Sequence, residues 1–296
     1  MLENRKKIRV MLRAMRPYQW TKNTVVLAAI FFSMELTNPE LLPLALFAFI
    51  SFCFASSATY IFNDIMDIEK DRIHPTKCHR PLASGNLPVT HAWRLLTLLL
   101  GMALLFGLMT GPVFLVPLGV YLCLTLSYSV YLKRIPILDV IVLSFGFVIR
   151  ALAGALAINV EFTNWLVICT FFLALFLALS KRRHEVVLLE KGAGEHRSVL
   201  EHYSLYYLDQ MILLVAGGAL LTYTIYTCSA EVIERFDTDK LYVTVPFVVF
   251  GLFRYLYLIH QKQSGGDPSK ALIKDVPLGT TVVLWALACG ILIYIL

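Results

Sequence analysis

Three aspartates are the residues of this sequence whose type and spacing best suit chemistry: Asp64, Asp67 and Asp71. At about 100° of rotation per helical residue, they fall within an arc of roughly 60° on one face of a helix. Carboxylates this close repel one another, so a cation among them stabilises the arrangement. Hard oxygen ligands favour Mg²⁺ or Mn²⁺, usually shared with substrate phosphates. The spacing therefore predicts a divalent-metal site, and the alternative is a solvated acidic end of a helix.

Basic side chains follow the aspartates directly, at Arg72, Lys77 and Arg80. Guanidinium and ammonium groups are the usual partners of phosphate oxygens. Two prolines and Gly85 bend the same stretch, which lets it fold over a pocket. Because metal-seeking and phosphate-seeking groups are adjacent here, the sequence predicts a metal-bridged diphosphate as the ligand.

A second basic group, Lys181, Arg182 and Arg183, follows a long apolar segment. Taken alone it favours anchoring at the membrane surface, because lysine and arginine beside a span do this without catalysis. The other interpretation is a binding site for an additional phosphate. In the phosphate-binding interpretation, Arg182 and Arg183 are expected to be exposed.

Polar residues within or beside apolar segments form a third group. Arg150 lies inside an apolar segment, where a charge is costly and normally faces a polar interior or a pathway. We expect a functional role for Arg150, with structural pairing as the alternative. The other expected acceptor-binding or cavity residues are Lys22, Asn23, Tyr128, Lys133, Tyr206 and Gln210. Anchoring at the membrane interface is the alternative for each of them.

The elements that must position these groups are membrane-spanning helices. The chain has 296 residues, 58% apolar and 16% charged, with a mean hydropathy of +0.71. A soluble domain is typically about 45–50% apolar and about 25% charged, so the composition excludes an ordinary soluble domain. Apolar segments of this kind predict helical spans. They lie at 20–34, 41–62, 92–109, 112–132, 138–158, 163–180, 209–228, 241–260 and 277–296. The prediction is an all-α integral membrane protein with nine transmembrane helices in one membrane domain, 1–296.

Lysines and arginines set the predicted orientation. Of the 26 in the chain, 23 flank the spans on one side. The positive-inside rule places that side in the cytoplasm and the C-terminus outside. The N-terminal segment 1–19 and two loops, 63–91 and 181–208, are then cytoplasmic, and the site lies at the cytoplasmic mouth beneath the two loops. The net charge of +6 reflects this topology, and we predict no nucleic-acid partner.

The first loop carries a longer motif around the aspartates. It reads Asn63-Asp64-x-x-Asp67-x-x-x-Asp71-Arg72, followed by His74-Pro-x-Lys and Arg80-Pro-x-x-Ser-Gly85. This resembles the first motif of the UbiA-type intramembrane prenyltransferase superfamily, which has nine helices and uses Mg²⁺ to bind a diphosphate donor. The resemblance implies a site in a bacterial inner (plasma) membrane, with the three aspartates as catalytic residues. The implied metal ligands are Asn63, Asp64, Asp67 and Asp71.

Further segments resemble the branch of this superfamily that makes polyprenyl-phosphate phosphoribose. They are Arg16-Pro-x-Gln-Trp-x-Lys-Asn23, Tyr128-Ser-x-x-Leu-Lys-x-Ile-Pro136, Arg150-Ala-x-Ala-Gly-Ala155, Ser180-Lys-Arg-Arg-x-Glu185 and Gly265-Gly-Asp-Pro268. The resemblance implies transfer of 5-phosphoribose from phosphoribosyl pyrophosphate to a polyprenyl phosphate such as decaprenyl phosphate. Pyrophosphate is released, and the product serves the synthesis of cell-envelope polysaccharide precursors.

The sequence departs from the wider superfamily after the sixth apolar segment. Typical members carry a second motif there, Asp-x-x-x-Asp, whereas this chain reads Ser180-Lys-Arg-Arg-His-Glu185. With the resemblance, the basic group favours binding of the donor's 5-phosphate. The main alternative is a prenyltransferase that moves a prenyl group from prenyl diphosphate to an aromatic acceptor, and it predicts the second motif. A transporter or lipid carrier is less favoured, because the ionisable groups cluster at one face. The lipid bilayer is an expected partner, and a homo-oligomer is compatible with the sequence.

Overall fold

The structure is a computed structural model that describes residues 2–73, 77–161, 163–190, 198–262 and 266–295. These residues form helices and no β-strand. A helix satisfies its backbone hydrogen bonds within its own segment, as hydrocarbon surroundings require. The α-helices of the described ranges are α1 (Leu2–Met15), α2 (Ala28–Phe32), α3 (Leu41–Met66), α4 (Ile68–Ile73), α5 (Val89–Thr110), α6 (Leu115–Val130), α7 (Leu138–Ala157), α8 (Asn164–Glu190), α9 (Leu205–Cys228), α10 (Ala230–Phe236), α11 (Val245–His260), α12 (Pro268–Lys274) and α13 (Val276–Tyr294).

Eight helices in the described part of the chain are long and apolar enough to cross a membrane. They are α3, α5, α6 with the short turn before it, α7, α8, α9, α11 with the short turn before it, and α13. Each coincides with one of the predicted apolar segments. The prediction of an all-α protein with many spans is confirmed.

The remaining predicted span, 20–34, is not one continuous α-helix. The chain forms a 3₁₀ helix over Pro17–Leu27 and then the short α2. Threonine side chains bond to nearby carbonyls here: Thr21 Oγ1 donates to Tyr18 O and Thr24 Oγ1 to Thr21 O. These local hydrogen bonds accompany the 3₁₀ geometry of the segment.

The two predicted loops are largely helical where the structure describes them. In 63–91, the chain completes α3, forms α4 and a 3₁₀ turn at Lys77–His79, and enters α5. In 181–208, α8 continues to Glu190, and a 3₁₀ turn at Ser198–His202 precedes α9. His74, with the rest of 74–76, lies outside the described residues, as do 191–197 and Gly265.

The chain divides into two compact units. The first unit comprises Met1–Ile30, Glu35–Ile135 and Ile149–Glu161. Within it, α3 packs along α5 through a face of small residues, which allow close approach of the two backbones. Ser51 Oγ in α3 donates to the Ala103 carbonyl of α5 at 2.7 Å. A Cβ on Gly154 would lie 2.0 Å from the Val26 carbonyl oxygen, so only glycine fits where α7 meets the 3₁₀ segment.

The second unit comprises Phe31–Met34, Pro136–Val148 and Phe162–Leu296. Its main core lies among α8, α9 and α11 and includes the buried residues Phe176, Leu208, Ile212 and Tyr255. These helices bring the basic end of α8 against the start of α9, which sets the surroundings of the second basic group.

Candidate active site

In the first unit, two guanidinium groups hold the carboxylate of Asp64. Asp64 lies in the last turn of α3 and is 1% exposed. Arg16 Nη2 lies 2.6 Å from Asp64 Oδ1 and 2.7 Å from Oδ2, and Arg80 Nη1 lies 3.1 Å from Oδ1. A carboxylate this deeply buried requires compensation of its charge, and the two arginines provide it.

Arg80 also joins Asp64 to a second aspartate. Its Nη1 lies 2.7 Å from Oδ2 of Asp71, which is on α4 and 3% exposed. The chain after Arg80 is fixed by Leu82 and Leu87, both buried in the core beside α3 and α5. The sequence therefore brings Arg80 to the acidic residues by burying the leucines that follow it.

Asp67 has a different partner. Lys133 Nζ lies 3.0 and 2.9 Å from its two carboxylate oxygens, and 3.5 Å from Oδ1 of Asn63. The four predicted metal ligands thus form two pairs: Asp64 with Asp71, and Asp67 with Asn63. The structure brings Lys133, expected to bind the acceptor or line a cavity, to this second pair.

The pair Asp64 and Asp71 has the donor chemistry of a divalent-metal site. Two buried carboxylates that share one cation offer the hard oxygen ligands that Mg²⁺ and Mn²⁺ prefer. Among the described residues, no three or more His, Cys, Asp or Glu side chains are grouped so as to hold a metal ion. A metal here would therefore complete its coordination with substrate oxygens or water, as Mg²⁺ commonly does.

Arg16 is a site residue that the sequence reasoning missed. The chain leaves α1 at Arg16, which has a left-handed backbone with φ 54° and ψ 57°, before Pro17. Its guanidinium carbon lies 5.2 Å from the centre of the Tyr60 ring. Burial lowers the pKa of Arg16, but the charge and hydrogen bonds of Asp64 more than offset this, and the pKa is raised. The signal in the sequence that could have identified Arg16 was the Arg16-Pro17 pair, which begins the family-like segment that ends at Asn23.

The other predicted residues of the first unit are spread around this cluster. Arg72 pairs with Glu69 at 2.8 Å on the exposed surface. Three further side chains are half-buried: Lys77 on its 3₁₀ turn, Lys22 on the 3₁₀ segment and Tyr128 on α6.

Arg150 lies in a buried polar network of the first unit. It is 6% exposed, its Nε donates to Oδ1 of Asn23 at 2.8 Å, and its Nη2 donates to the Tyr121 hydroxyl at 2.9 Å. Asn23 is fully buried and donates to Ser56 Oγ at 3.1 Å. The structure therefore brings together Arg150 and Asn23, two of the expected acceptor or cavity residues.

In the second unit, Arg182 is buried, so the expectation that it is exposed is wrong. Its side chain is 1% exposed, and Nε lies 2.5 Å from Oδ2 of the fully buried Asp139. Nη1 pairs with Glu185 one turn along α8. The Tyr203 hydroxyl donates to Oδ1 of Asp139 at 2.7 Å, and burial raises the pKa of that hydroxyl so that it stays protonated. Burial follows because α8 continues as a helix where a loop was predicted.

The neighbouring predicted residues of the second unit differ in exposure. Arg183 is 13% exposed and pairs with Asp209, which is 31% exposed. Lys181 is half-buried on α8. Tyr206 is 77% exposed, and Gln210 is also exposed, on the first turns of α9. Arg182 and Arg183 therefore both have carboxylate partners within this unit.

Together, the many long apolar helices and the carboxylate–arginine cluster at the end of α3 define a membrane protein with a polar site at a helix end. The chain belongs to the UbiA prenyltransferase family, whose family model matches residues 24–186. The matched range includes the three aspartates and excludes Arg16.

The similarity to named relatives extends over nearly the whole chain. The chain is 32% identical to the decaprenyl-phosphate phosphoribosyltransferase of Corynebacterium glutamicum, over 97% of this chain and 87% of that protein. It is also 32% identical to the protein of the same name from Mycolicibacterium smegmatis, over 96% of this chain and 92% of that protein. Among solved structures, a UbiA homolog from Archaeoglobus fulgidus bound to GPP and Mg²⁺ covers 97% of this chain and 100% of its own. Its TM-score is 0.73 at 21% identity, which is a likeness of fold.

Proposed function

We propose that this protein transfers 5-phosphoribose from phosphoribosyl pyrophosphate to a polyprenyl phosphate and releases pyrophosphate. The observation that carries the proposal is the near full-length similarity to two proteins named decaprenyl-phosphate phosphoribosyltransferase. The basic residues at the position of the second Asp-rich motif also support it, because a prenyltransferase is expected to have aspartates there.

The diphosphate of the donor is proposed to bind at Asp64 and Asp71. Mg²⁺, replaceable by Mn²⁺, would be held by these two carboxylates, with Asn63 and Asp67 beside them. When bound, the metal neutralises the charge that develops on the leaving diphosphate. The homolog solved with GPP and Mg²⁺ supports the choice of metal and of a diphosphate ligand. Arg80, in contact with both carboxylates, is positioned to donate hydrogen bonds to diphosphate oxygens.

The chemical step exchanges one C–O bond for another. An acceptor phosphate oxygen forms a bond to C1 of the ribose, and the bond from C1 to the diphosphate oxygen breaks, with the electron pair leaving on pyrophosphate. The sugar passes through an oxocarbenium-like state, as in glycosyl transfer. The acceptor phosphate is already largely ionised near neutral pH. It therefore needs positioning rather than deprotonation, and the step requires no general base from the chain.

The remaining predicted roles stay predictions within this proposal. Arg72 and Lys77 are expected to add positive charge near the donor, and Lys181 and Arg183 to bind its 5-phosphate. Arg182, predicted from the sequence as a third ligand of that phosphate, is buried against Asp139 and is expected to stabilise the protein instead. The expected contacts of the acceptor are Lys22, Asn23, Tyr128, Lys133, Arg150, Tyr206 and Gln210. The site is expected to face the cytoplasm at a bacterial inner membrane.

An assay of the purified protein with labelled phosphoribosyl pyrophosphate and several polyprenyl phosphates tests the proposal. We expect label in the lipid fraction and one pyrophosphate released for each lipid labelled. Turnover of prenyl diphosphate with an aromatic acceptor, and none with the ribose donor, would establish the prenyltransferase alternative. Movement of lipid or solute without any product would favour a transporter or carrier.

The orientation has its own test, single-cysteine labelling from each side of the membrane. Cysteines introduced at positions 85 and 192 are expected to react only from the cytoplasmic side. Reaction from the outer side would overturn the proposed orientation.

A further inference from the structure

We infer that Arg16 and Arg80 are built-in counter-cations of the acidic site, which exchange the carboxylates for the diphosphate when the metal and the donor bind. The inference rests on the proposed function, because it takes Asp64 and Asp71 as the metal–diphosphate site. Its consequence is that metal binding and diphosphate binding depend on each other.

The carboxylate oxygens suited to a metal already accept hydrogen bonds from arginine. Both oxygens of Asp64 lie within 2.6–2.7 Å of one Arg16 nitrogen. Oδ2 of Asp71 and Oδ1 of Asp64 both contact Arg80 Nη1, at 2.7 and 3.1 Å. A metal ion therefore competes with the guanidinium groups for these oxygens.

Electrostatics opposes the entry of a metal alone. A divalent cation placed on these carboxylates would sit beside two guanidinium charges in a site where water screens poorly. A diphosphate removes this penalty, because its oxygens are strong acceptors for guanidinium groups. Metal and diphosphate therefore each raise the affinity of the site for the other, and the coupling is reciprocal.

The exposures of the partners allow the exchange. The side chains of Asp64 and Asp71 are 1% and 4% exposed, whereas Arg16 and Arg80 are 18% and 24% exposed. The carboxylates are fixed in the core, whereas each arginine side chain keeps part of its surface exposed. The arginines can turn towards an anion without moving the carboxylates.

Binding of Mn²⁺ to the purified full-length protein measures this coupling. Equilibrium dialysis at a buffered free Mn²⁺ concentration, with and without labelled inorganic pyrophosphate, gives the bound metal and the bound pyrophosphate in one sample. In the wild type, pyrophosphate is expected to tighten Mn²⁺ binding at least about tenfold, the size of one charge-assisted hydrogen bond. In Arg80→Gln and Arg16→Gln, Mn²⁺ alone is expected to bind about tenfold more tightly, and the gain from pyrophosphate is expected to be about tenfold smaller than in the wild type.

Arg94→Gln is the matched control, because it removes the same charge from the exposed face of α5. It should retain the wild-type coupling. Arg80→Lys keeps the positive charge on a single nitrogen. Its coupling between Mn²⁺ and pyrophosphate binding should fall between that of the wild type and that of Arg80→Gln. It replaces Arg80→Gln in the experiment if Arg80→Gln does not fold.

The outcomes separate the inference from the proposed function. Tight Mn²⁺ binding to the wild type without pyrophosphate, or unchanged coupling in the arginine variants, overturns the inference and leaves the metal site standing. A wild type that binds neither Mn²⁺ nor pyrophosphate overturns the site and the inference together.

Discussion

Each unit of this protein contains a cluster of arginines and aspartates, and the two clusters differ in what is exposed. In the first unit, the buried Asp64 is paired with Arg16 and Arg80, which keep 18% and 24% of their side chains exposed. In the second unit, Arg182 and Asp139 are 1% and 0% exposed. Both clusters pair guanidinium groups with a buried aspartate at hydrogen-bond distance, but the access of solvent to the cation differs.

This difference separates an exchangeable ion pair from a permanent one. Removing one partner of a fully buried pair leaves an uncompensated charge and costs about 3–5 kcal/mol. A guanidinium with an exposed edge can instead turn towards an incoming anion while its carboxylate accepts a metal. We therefore assign ligand binding to the first cluster and stabilisation to the second, and the following predictions test that division.

Chelation is expected to have the largest effect. If Asp64 and Asp71 act through a metal, EDTA should lower activity by at least about 10³-fold, because a catalytic metal supplies several kcal/mol of charge stabilisation. Mg²⁺ or Mn²⁺ in excess should restore activity. The thermal unfolding of the protein, to which the Arg182–Asp139 pair contributes, should not respond to the chelator. Full activity in EDTA would contradict the assignment of the first cluster.

Removal of one carboxylate charge of the first cluster should have the second-largest effect. Asp64→Asn and Asp71→Asn should each lower kcat by about 10²–10³-fold, as the loss of one electrostatic contact to the transition state does elsewhere. Glu69→Gln on the neighbouring exposed surface is the matched control and should stay near wild-type activity. A folded Asp64→Asn protein with normal kcat would show that this carboxylate is structural.

A substitution in the second cluster should lower the free energy of unfolding. Arg182→Met leaves Asp139 charged and buried, so unfolding in detergent should become easier by about 3–5 kcal/mol. Arg183→Met, whose partner Asp209 is partly exposed, should cost less than about 1 kcal/mol. If Arg182→Met instead keeps its stability and raises the KM for phosphoribosyl pyrophosphate, the residue binds the donor and the second cluster is also a ligand site.

The smallest effect is expected at a half-buried pair of the second unit, Arg254 with Asp275, at 2.9 Å. The hydrogen bond from Arg254 lowers the pKa of Asp275 below its ordinary value. A lowered pKa contributes stability above the unfolded pKa, and this contribution is lost as the pH falls through the folded pKa. Asp275→Asn should therefore be slightly less stable than the wild type near neutral pH. The difference should vanish in acid, as thermal unfolding across a pH series would measure, and a difference that grows in acid would contradict it.

The spacing of residues along the chain was enough to find the aspartates and the spans. Asp64 and Asp71 are seven residues apart, close to two helical turns, so local periodicity placed them on one side of the chain. Local periodicity did not separate Asp67 from them, because Asp67 directly follows the last residue of α3 and its partner Lys133 is 66 residues further on. Burial of Arg182 was missed for a similar reason, since Asp139 lies 43 residues before it.

Apolar length and helical period are local properties, so the sequence was sufficient to predict an all-α protein of many spans with a carboxylate motif beside basic residues. The cation that each carboxylate receives follows from the tertiary structure. Arg16 meets Asp64 across 48 residues through a left-handed turn before Pro17, and Arg182 meets Asp139 through the packing of α8 on α7. These pairings depend on how helices distant in sequence pack together. Packing decides which guanidinium groups keep an exposed edge, and so which ion pair can exchange its partner for a substrate.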